Sequence, residues 1–420
     1  MPTPVSQLIR PINSFAVLGD SRAAQVHVDP QMRNRAGYNH FNWGNALSGQ
    51  RAVIAGNWGV SGDRTDQMLA RLSTAIASGG GWLYIIAGVN DHAQNYPTAG
   101  TSGVTAFNNI KLCADTAALY GVRSMICLET GAQGLTAAQI GQVIEQNERL
   151  REYADKAPYV VLVDLPFALM NPTNSVSALA FKPNYSADGT HEANLGAYYG
   201  GKIAMLPLFQ QLLPPRVGSI RNIVETPSAN SLVSLLANPL FATASGGTIG
   251  TGAGTGTVAG SWTSNRGGTA SAVYSVGAPA DGSPGNEQVM ACTFGAANEE
   301  IRIQQDVALA NWSPGDIIRA TAEVSVDAGS SNLAGVYLYL QCNGTGDPGS
   351  LGAQTAMDMY PQTAQGPTET YTISLETESL QIPAYTTKSW VTMYVRAISS
   401  GAGSATVRVR RASIRKRFAL

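Results

Sequence analysis

Ser21 has the surroundings of a nucleophile. Residues 15–18 are a continuous apolar run, which predicts a short strand buried on both faces, and Gly19, Asp20 and Ser21 follow it directly. In open α/β sheets, ligands bind beyond the carboxyl ends of the strands, so a serine at this point lies where chemistry is usually done. Taken alone, an Asp-Ser pair after a strand is more typical of a turn or of a helix N-cap. The serine therefore needs partners elsewhere in the chain before it predicts a reaction.

His191 and Asp188 are the candidates for those partners. A serine that attacks an acyl group needs a base for its proton and a group that orients the base. His191 is one of only four histidines, and it follows the fifth predicted strand, with Asp188 three residues ahead of it. In a tight turn, this spacing lets the carboxylate reach Nδ1 of the imidazole while Nε2 faces Ser21. A lone D-x-x-H pattern is more often a solvated loop, and its position at the same edge of the sheet is what favours a catalytic role.

Gly62 and Asn90 are candidate donors to the oxyanion of such a reaction. Gly62 follows the second predicted strand and has no side chain to keep its N–H away from a substrate. Asn90 follows the third predicted strand, and its carboxamide can donate a hydrogen bond. With the N–H of Ser21, these groups would form an oxyanion hole. Taken singly, each residue is also typical of an ordinary turn.

Five strands have to bring these residues to one edge. The apolar runs that predict them cover residues 15–18, 52–55, 82–87, 122–128 and 159–164. Helical patterns separate the runs. The clearest begins at Thr136, where Thr136 and Gln139 have capping-box spacing and Leu135 can contact Ile140. Strands that alternate with helices predict an α/β domain with a mostly parallel sheet that is covered by helices on both sides.

The strand-end segments resemble the sequence blocks of the SGNH, or GDSL-type, hydrolase family over residues 14–213. The matching residues are Gly19, Asp20 and Ser21, then Gly62, then Gly88, Asn90 and Asp91, and last Asp188 and His191. The resemblance implies a flavodoxin-like three-layer α/β/α fold with a five-stranded sheet. It also implies hydrolysis of acetyl or other short-chain esters, often on carbohydrates, without a metal or another cofactor. Ala23 and Arg64 differ from the residues that are commoner in the family, which leaves the acyl-group preference open.

A chain of 420 residues is long enough for two or three domains. Pro214 and Pro215 end the last helical pattern, residues 193–213, and predict a first domain over residues 1–215. Residues 216–238 are predicted to be a linker. Beyond them, turns rich in glycine, serine and threonine separate short segments in which apolar and polar residues alternate. This pattern predicts an all-β sandwich or jelly roll over residues 239–420.

The predicted second domain resembles carbohydrate-binding jelly rolls. It carries little charge and has three tryptophans, Trp262, Trp312 and Trp390. We expect it to bind a glycan. Packing against the first domain and self-association into a homo-oligomer are alternative uses of the same surface.

Three further residues are candidates to contact a substrate. His40 and Trp43 lie in a long insertion, residues 26–50, that could line the cleft, and Asp91 follows Asn90 directly. For His40 and Trp43, packing in the core or on the surface is at least as typical.

Composition excludes several classes of function. The net charge of −1 gives no reason to expect nucleic acid or a membrane surface as a partner. No run of about 18 apolar residues predicts a transmembrane helix, and residues 1–14 lack the apolar segment of a secretory signal. The four cysteines are widely spread and predict buried free thiols rather than a zinc or redox site. The location stays open: virion or extracellular for a phage-derived chain, and cytoplasmic otherwise.

These observations predict a two-domain serine esterase that acts on an acetylated carbohydrate through an acyl-enzyme. A loose resemblance to phage tail-associated deacetylases points to a polysaccharide as the substrate. Two other hypotheses stay open. One is an adhesion or structural glycan-binding protein that keeps a silent hydrolase fold, and the other is a hydrolase of lipids or thioesters.

Overall fold

The chain divides into two compact units. The computed structural model describes residues 10–29, 31–175, 178–216, 234–308, 312–345, 353–358, 364–382 and 387–417. The first unit comprises the described residues of 1–27, 39–45 and 51–215, and the second those of 28–38, 46–50 and 216–420. Most of the predicted linker, residues 217–233, lies outside the described residues.

Two short segments inside the range predicted for the first domain belong to the second unit. They are residues 28–38 and 46–50. A strand in the first segment, Asn34–Ala36, pairs in parallel with the strand Ala353–Asp358. In the other segment, the Gln50 side chain donates a hydrogen bond to the carbonyl of Ser374 (2.6 Å). The prediction that residues 1–215 are one domain did not anticipate these contacts, because their partners lie about 300 residues further along the chain.

A five-stranded parallel sheet forms the centre of the first unit. Its strands are β1 (Ser14–Gly19), β2 (Val53–Gly59), β3 (Trp82–Ile86), β4 (Arg123–Cys127) and β5 (Val160–Val163). They lie side by side in the order β2-β1-β3-β4-β5, and every neighbouring pair is parallel. This is the flavodoxin-like order of a doubly wound sheet. The predicted α/β fold class is confirmed.

Helices follow the strands and cover both faces of the sheet. They are α1 (Ser21–Ala24), α2 (His40–Leu47), α3 (Thr65–Leu69), α4 (Leu72–Ala77), α5 (Val89–Ala93), α6 (Ser102–Leu119), α7 (Ala137–Ala154), α8 (Leu165–Leu169), α9 (Asn194–Tyr199) and α10 (Leu206–Leu212). Along β1, Phe15 and Val17 face one apolar cluster while Ala16 and Leu18 face the other. Burial on both faces explains why this strand is a continuous apolar run instead of an alternating one.

The predicted start of α7 is confirmed. Thr136 is its N-cap, and the side chain of Gln139 accepts a hydrogen bond from the Thr136 N–H (2.9 Å), which closes the capping box. Leu135 and Ile140 are buried in the same small apolar cluster. This arrangement is the one that the spacing of these residues predicts.

The predicted single helix over residues 193–213 is interrupted. Between α9 and α10, Gly200–Met205 is π-helical. Pro207 has no N–H to donate to the carbonyl of residue 203, so the α-helical pattern cannot run unbroken across it. Gly201 also lies against α2, where an added Cβ would be 2.5 Å from the Cβ of Trp43. The helix therefore changes its hydrogen-bond pattern where it packs closely against α2.

The second unit is an all-β structure, as predicted. Its longer strands are β6 (Ser271–Gly277), β7 (Glu287–Phe294), β8 (Glu300–Ala308), β9 (Ile317–Val326), β10 (Ser331–Thr345), β11 (Tyr371–Glu376) and β12 (Thr387–Arg417). Residues 390–398 of β12 pair with β8 and β10, whereas residues 403–409 pair with β7 and residues 407–417 with β9. One long strand thus joins two groups of strands, as in sandwiches whose strands pass from one sheet to the other.

Two further sequence expectations concern the chain as a whole. Cys113, Cys127, Cys292 and Cys342 are buried and form no disulfide, as predicted. Within the described ranges, no helix is both long enough and apolar enough to cross a membrane.

Candidate active site

Ser21 lies in a sharp turn at the carboxyl edge of the sheet. β1 ends at Gly19, Asp20 caps the N-terminus of α1, and Ser21 is the first residue of that helix. Gly19 has a φ of 153°, and a Cβ there would lie 2.0 Å from the carbonyl oxygen of Ile86, so only glycine fits. The Asp20 N–H donates to Ile86 (3.2 Å), and the Val60 N–H donates to Gly19 (3.1 Å). The turn is therefore tied to the ends of both neighbouring strands.

The structure brings Asp188, His191 and Ser21 together in one hydrogen-bonded chain. Asp188 Oδ2 lies 2.7 Å from His191 Nδ1, and His191 Nε2 lies 2.7 Å from Ser21 Oγ. Because the carboxylate can only accept at Nδ1, the geometry assigns the proton to Nδ1 and leaves Nε2 to accept from the serine hydroxyl. This is the arrangement that a serine nucleophile and its base require.

Asp188 also shapes the loop that carries the imidazole. Its Oδ1 accepts hydrogen bonds from the backbone N–H of Thr190 (2.9 Å) and of His191 (2.8 Å). Burial raises the pKa of the Asp188 carboxyl, but the hydrogen bonds from His191 and Thr190 outweigh it and hold that pKa below its ordinary value. The carboxylate therefore stays ionised at neutral pH. The side chains of His191 and Asp188 are 26% and 54% exposed, so this side of the site is open to solvent.

Gly62 lies in the loop after β2, and Asn90 is the second residue of α5. Asn90 Nδ2 donates to the carbonyl of Asp63 (2.9 Å), the residue after Gly62. One of the two N–H groups of the carboxamide is used in this way, which leaves the second for another acceptor. Gly62 has a φ of 82°, and no described atom lies within 4 Å of the place that a Cβ would take. The residue is exposed, so a substrate can reach this part of the backbone.

The prediction that Asp91 contacts a substrate is wrong. Its side chain is fully buried and accepts hydrogen bonds from the N–H (3.0 Å) and the hydroxyl (2.6 Å) of Thr65. Asp91 thereby holds the first residue of α3 and the end of the loop that contains Gly62. Burial raises the pKa of its carboxyl to about 6, more than the hydrogen bonds from Thr65 lower it.

His40 and Trp43 do not line a cleft either. Both side chains are buried in the first unit, and the Trp43 ring packs edge-on against Tyr198 at a centroid distance of 5.1 Å. His40 Nδ1 lies 2.6 Å from a carboxylate oxygen of Glu192, and its Nε2 contacts the hydroxyl of Tyr84. Glu192 directly follows His191. Through Glu192, His40 therefore holds the loop that carries His191, and it does not face a substrate.

Sequence reasoning missed a buried ion network next to the nucleophile. Arg22 donates two hydrogen bonds to the side chain of Glu129, at 2.6 and 2.8 Å, and two more to Asp20, at 3.1 and 2.6 Å. All three side chains are buried. Two signals were present: Arg22 directly follows Ser21, and Glu129 stands just past the apolar run of β4, where a charge is unexpected.

Trp262 and Trp312 of the second unit do not form a surface for a sugar. Trp262 is 1% exposed and Trp312 is 5% exposed, so both belong to the core. The side chain of Trp390 lies outside the described residues. An aromatic ring that stacks on a sugar must be accessible. The two described tryptophans therefore give no support to glycan binding.

Comparisons with known proteins place this geometry in context. No protein-family model and no curated protein sequence matches the chain. Among solved structures, a GDSL-like lipase from Bacteroides thetaiotaomicron VPI-5482 matches with a TM-score of 0.35 and 17% identity, over 49% of this chain and 92% of the lipase. A variant of an acetyl-xylooligosaccharide esterase from Geobacillus matches with a TM-score of 0.37 and 15% identity, over 45% of this chain and 91% of the esterase.

A third match comes from a study of carbohydrate-binding modules of the β-sandwich superfamily. Its TM-score is 0.27 and its identity 14%, over 37% of this chain and 58% of the other chain. The chain is thus similar to GDSL-type hydrolases and to a β-sandwich module. TM-scores this low assign no activity by themselves.

In the described part of the chain, no group of three or more His, Cys, Asp or Glu residues is arranged to hold a metal ion. The residues of the site are instead a hydroxyl, an imidazole, a carboxylate and hydrogen-bond donors. Together these groups can move a proton, form a covalent acyl bond and stabilise an oxyanion.

Proposed function

We propose that the first unit is a serine esterase that removes short acyl groups, in particular acetyl, from carbohydrate. The observation that carries this proposal is the unbroken chain of hydrogen bonds from Asp188 through His191 to Ser21. The motif resemblance to SGNH hydrolases supports the choice of a short-chain ester. The solvent-exposed rim at His191 and Asp188 suits an ester whose alcohol part is a bulky sugar.

Acylation begins when a substrate carbonyl lies over Ser21 Oγ. His191 Nε2 takes the hydroxyl proton as Oγ forms a bond to the carbonyl carbon, and the carbonyl oxygen becomes an oxyanion. The N–H groups of Ser21, Gly62 and the Asn90 carboxamide donate hydrogen bonds to that oxyanion. The tetrahedral intermediate then collapses. The bond to the sugar oxygen breaks, the Nε2 proton passes to that oxygen, and the alcohol leaves.

Deacylation uses the same groups with water as the nucleophile. His191 Nε2 takes a proton from water as the water oxygen bonds to the acyl carbon. Collapse of the second intermediate breaks the bond to Ser21 Oγ, which regains its proton from the imidazole, and the carboxylic acid is released. Throughout, Asp188 keeps the proton on Nδ1 and stabilises the imidazolium when it forms.

For the second unit, we propose glycan binding at a partly exposed aromatic surface. The rings of Tyr339 and Tyr394 stack at a centroid distance of 4.5 Å, and the guanidinium of Arg302 lies 5.2 Å from the Tyr394 ring. The two tyrosines and Arg302 remain partly exposed. Tyrosine rings with adjacent arginine donors are suited to the apolar faces and hydroxyls of sugars.

The decisive experiment compares the full chain with Ser21→Ala. We expect the wild-type protein to hydrolyse p-nitrophenyl acetate and to release acetate from at least one acetylated polysaccharide of a panel. Ser21→Ala should do neither while it keeps the circular dichroism spectrum and melting temperature of the wild type. Equal activity in the two proteins would disprove the assignment of Ser21. Activity that rises from acetyl towards long acyl esters would favour a lipid hydrolase instead.

A matched pair of variants tests the second unit. Tyr394→Ala should weaken retention of the full chain on the polysaccharide from which it releases acetate, and hydrolysis of p-nitrophenyl acetate should stay unchanged. Val273→Ala, at an exposed position on another strand, is the control. Retention that is equal in the two variants would contradict glycan binding at this surface.

A further inference from the structure

Glu129 lies between the two segments that carry the proposed catalytic groups. It is the second residue after β4, and its side chain is buried. On one side, both of its carboxylate oxygens accept hydrogen bonds from the guanidinium of Arg22, at 2.6 and 2.8 Å. Such a two-point contact fixes orientation as well as distance. Because Arg22 directly follows Ser21, the carboxylate is connected to the turn of the nucleophile.

The other side of Glu129 leads to the loop of the base. Its Oε1 accepts a hydrogen bond from the N–H of Gly131 (2.9 Å). Two residues on, the N–H of Gln133 donates to the carbonyl of Gly189 (2.8 Å), and Gly189 lies between Asp188 and His191. Residues 129–133 therefore connect the turn of Ser21 to the turn of His191.

Helix α7 holds this connection in place. The Asn147 side chain accepts a hydrogen bond from the Glu129 N–H (2.7 Å) and donates one to the Glu129 carbonyl (2.8 Å). Both backbone groups of Glu129 are thus satisfied by one side chain of a long helix. Glu129, the first residue of the connection, is therefore held by α7.

Stability alone does not explain why these charges are buried. Arg22 is buried between two carboxylates, Asp20 and Glu129, and buried ion pairs are often no more stabilising than well-packed apolar side chains. Burial raises the pKa of Glu129, but the charge and hydrogen bonds of Arg22 outweigh this and hold that pKa below its ordinary value. Glu129 and Arg22 thus stay ionised, and what their contact contributes is a fixed geometry.

We infer that Arg22 and Glu129 are positioning residues, which set the distance between Ser21 Oγ and His191 Nε2 without contacting the substrate. This inference rests on the proposed function. Proton transfer from serine to imidazole depends steeply on that distance, and a displacement of about 1 Å can cost on the order of 10²-fold in rate. The loss should appear in kcat, because no group that binds the substrate is changed.

Three variants of the full chain separate geometry from charge. Glu129→Gln leaves Asp20 and Arg22 as an ion pair of zero net charge. The NH₂ group of the new glutamine faces an N–H of Arg22, so one of the two hydrogen bonds to Arg22 is lost. Glu129→Asp keeps the charge but is one methylene too short to reach Arg22 and Gly131 together. Arg22→Lys keeps the positive charge and loses the two-point contact. Glu145→Gln, on the solvent side of α7, is the control.

The measurements are kcat and KM for p-nitrophenyl acetate, the rate of covalent labelling of Ser21 by a fluorophosphonate, and the melting temperature. We expect each of the three variants to lose at least about tenfold in kcat and in labelling rate, with KM changed by less than about threefold and the protein folded. The control should match the wild type. Wild-type kcat in folded Glu129→Gln and Arg22→Lys would overturn the inference. Full activity in Glu129→Asp would also overturn it, because the loss of activity in the other variants would then be due to charge and not to geometry.

Three other outcomes also decide the matter. If none of the three variants folds, the network serves stability and the inference is wrong. If Ser21→Ala is as active as the wild type, the proposed function fails. If Ser21→Ala is inactive and Glu129→Gln is fully active, only the positioning role fails.

Discussion

His191 Nε2 lies 2.7 Å from Ser21 Oγ, although 170 residues separate the two along the chain. Ser21 follows β1, which is second in the spatial order of the sheet. His191 lies in the segment after β5, the last strand of the sheet along the chain. Parallel strands all end at the same edge, so their loops can meet there. The distance between these two atoms is the observation that supports the proposal of acyl transfer at this site.

Asp188→Asn should remove most of the activity without displacing the imidazole. An amide at this position no longer favours the proton on Nδ1 and does not stabilise an imidazolium. We expect kcat for p-nitrophenyl acetate to fall on the order of 10³–10⁴-fold. Asp155→Asn, at the exposed end of α7, is the control and should leave kcat unchanged. A loss of less than tenfold in Asp188→Asn would contradict the role given to this carboxylate.

Asn90→Ala should weaken stabilisation of the oxyanion. Loss of one such donor typically costs on the order of 10²–10³-fold in kcat. We expect this loss in steady-state kinetics with p-nitrophenyl acetate, with a smaller change in KM. Asn108→Ala, at an exposed position on α6, is the matched control. If Asn90→Ala turns over at the wild-type rate, the Asn90 carboxamide is not an oxyanion donor.

Asp91→Asn should change how stability depends on pH. Burial raises the pKa of the Asp91 carboxyl from 3.8 to about 6, so the folded state favours the protonated form. The stability contributed by this group is full below about pH 4 and is lost as the pH rises through about 6. The loss amounts to about 3 kcal/mol in the free energy of unfolding.

Denaturant unfolding of wild type and Asp91→Asn at pH 4 and pH 7 measures this effect. Between the two pH values, the wild type should lose more free energy of unfolding than the variant does. Because the other titrating groups are the same in both proteins, their contributions cancel in the comparison. An identical pH dependence in the two proteins would show that Asp91 does not titrate in this range.

Trp43→Ala tests whether Trp43 belongs to the core or to the substrate cleft. Its ring is fully buried, so its removal should lower the free energy of unfolding by about 3–5 kcal/mol. KM for p-nitrophenyl acetate should stay unchanged in the folded fraction. Urea unfolding and steady-state kinetics give the two quantities. An unchanged stability together with a raised KM would indicate that Trp43 lines the substrate cleft.

Features that depend on neighbours in the chain could be predicted from the sequence. The apolar runs predicted the five strands, because burial on both faces of a parallel sheet leaves no room for polar alternation. Thr136 and Gln139 predicted the start of α7, since capping depends on residues only three apart. The turn of Asp188 and His191 is of the same kind, because the carboxylate bonds to N–H groups two and three residues further on.

Contacts between distant segments were decided only by the tertiary structure. Arg22 and Glu129 are 107 residues apart, and no local pattern could show that β1 and β4 would bring them together. The burial of His40 and Trp43 likewise depends on α2 packing against the π-helical segment Gly200–Met205. Residues 28–38 join the second unit through the strand Ala353–Asp358, which follows more than 300 residues later. Local spacing determines which hydrogen bonds a segment can make with itself. Which segments become neighbours depends on how the whole chain buries its apolar surface, and that is decided only when the chain folds.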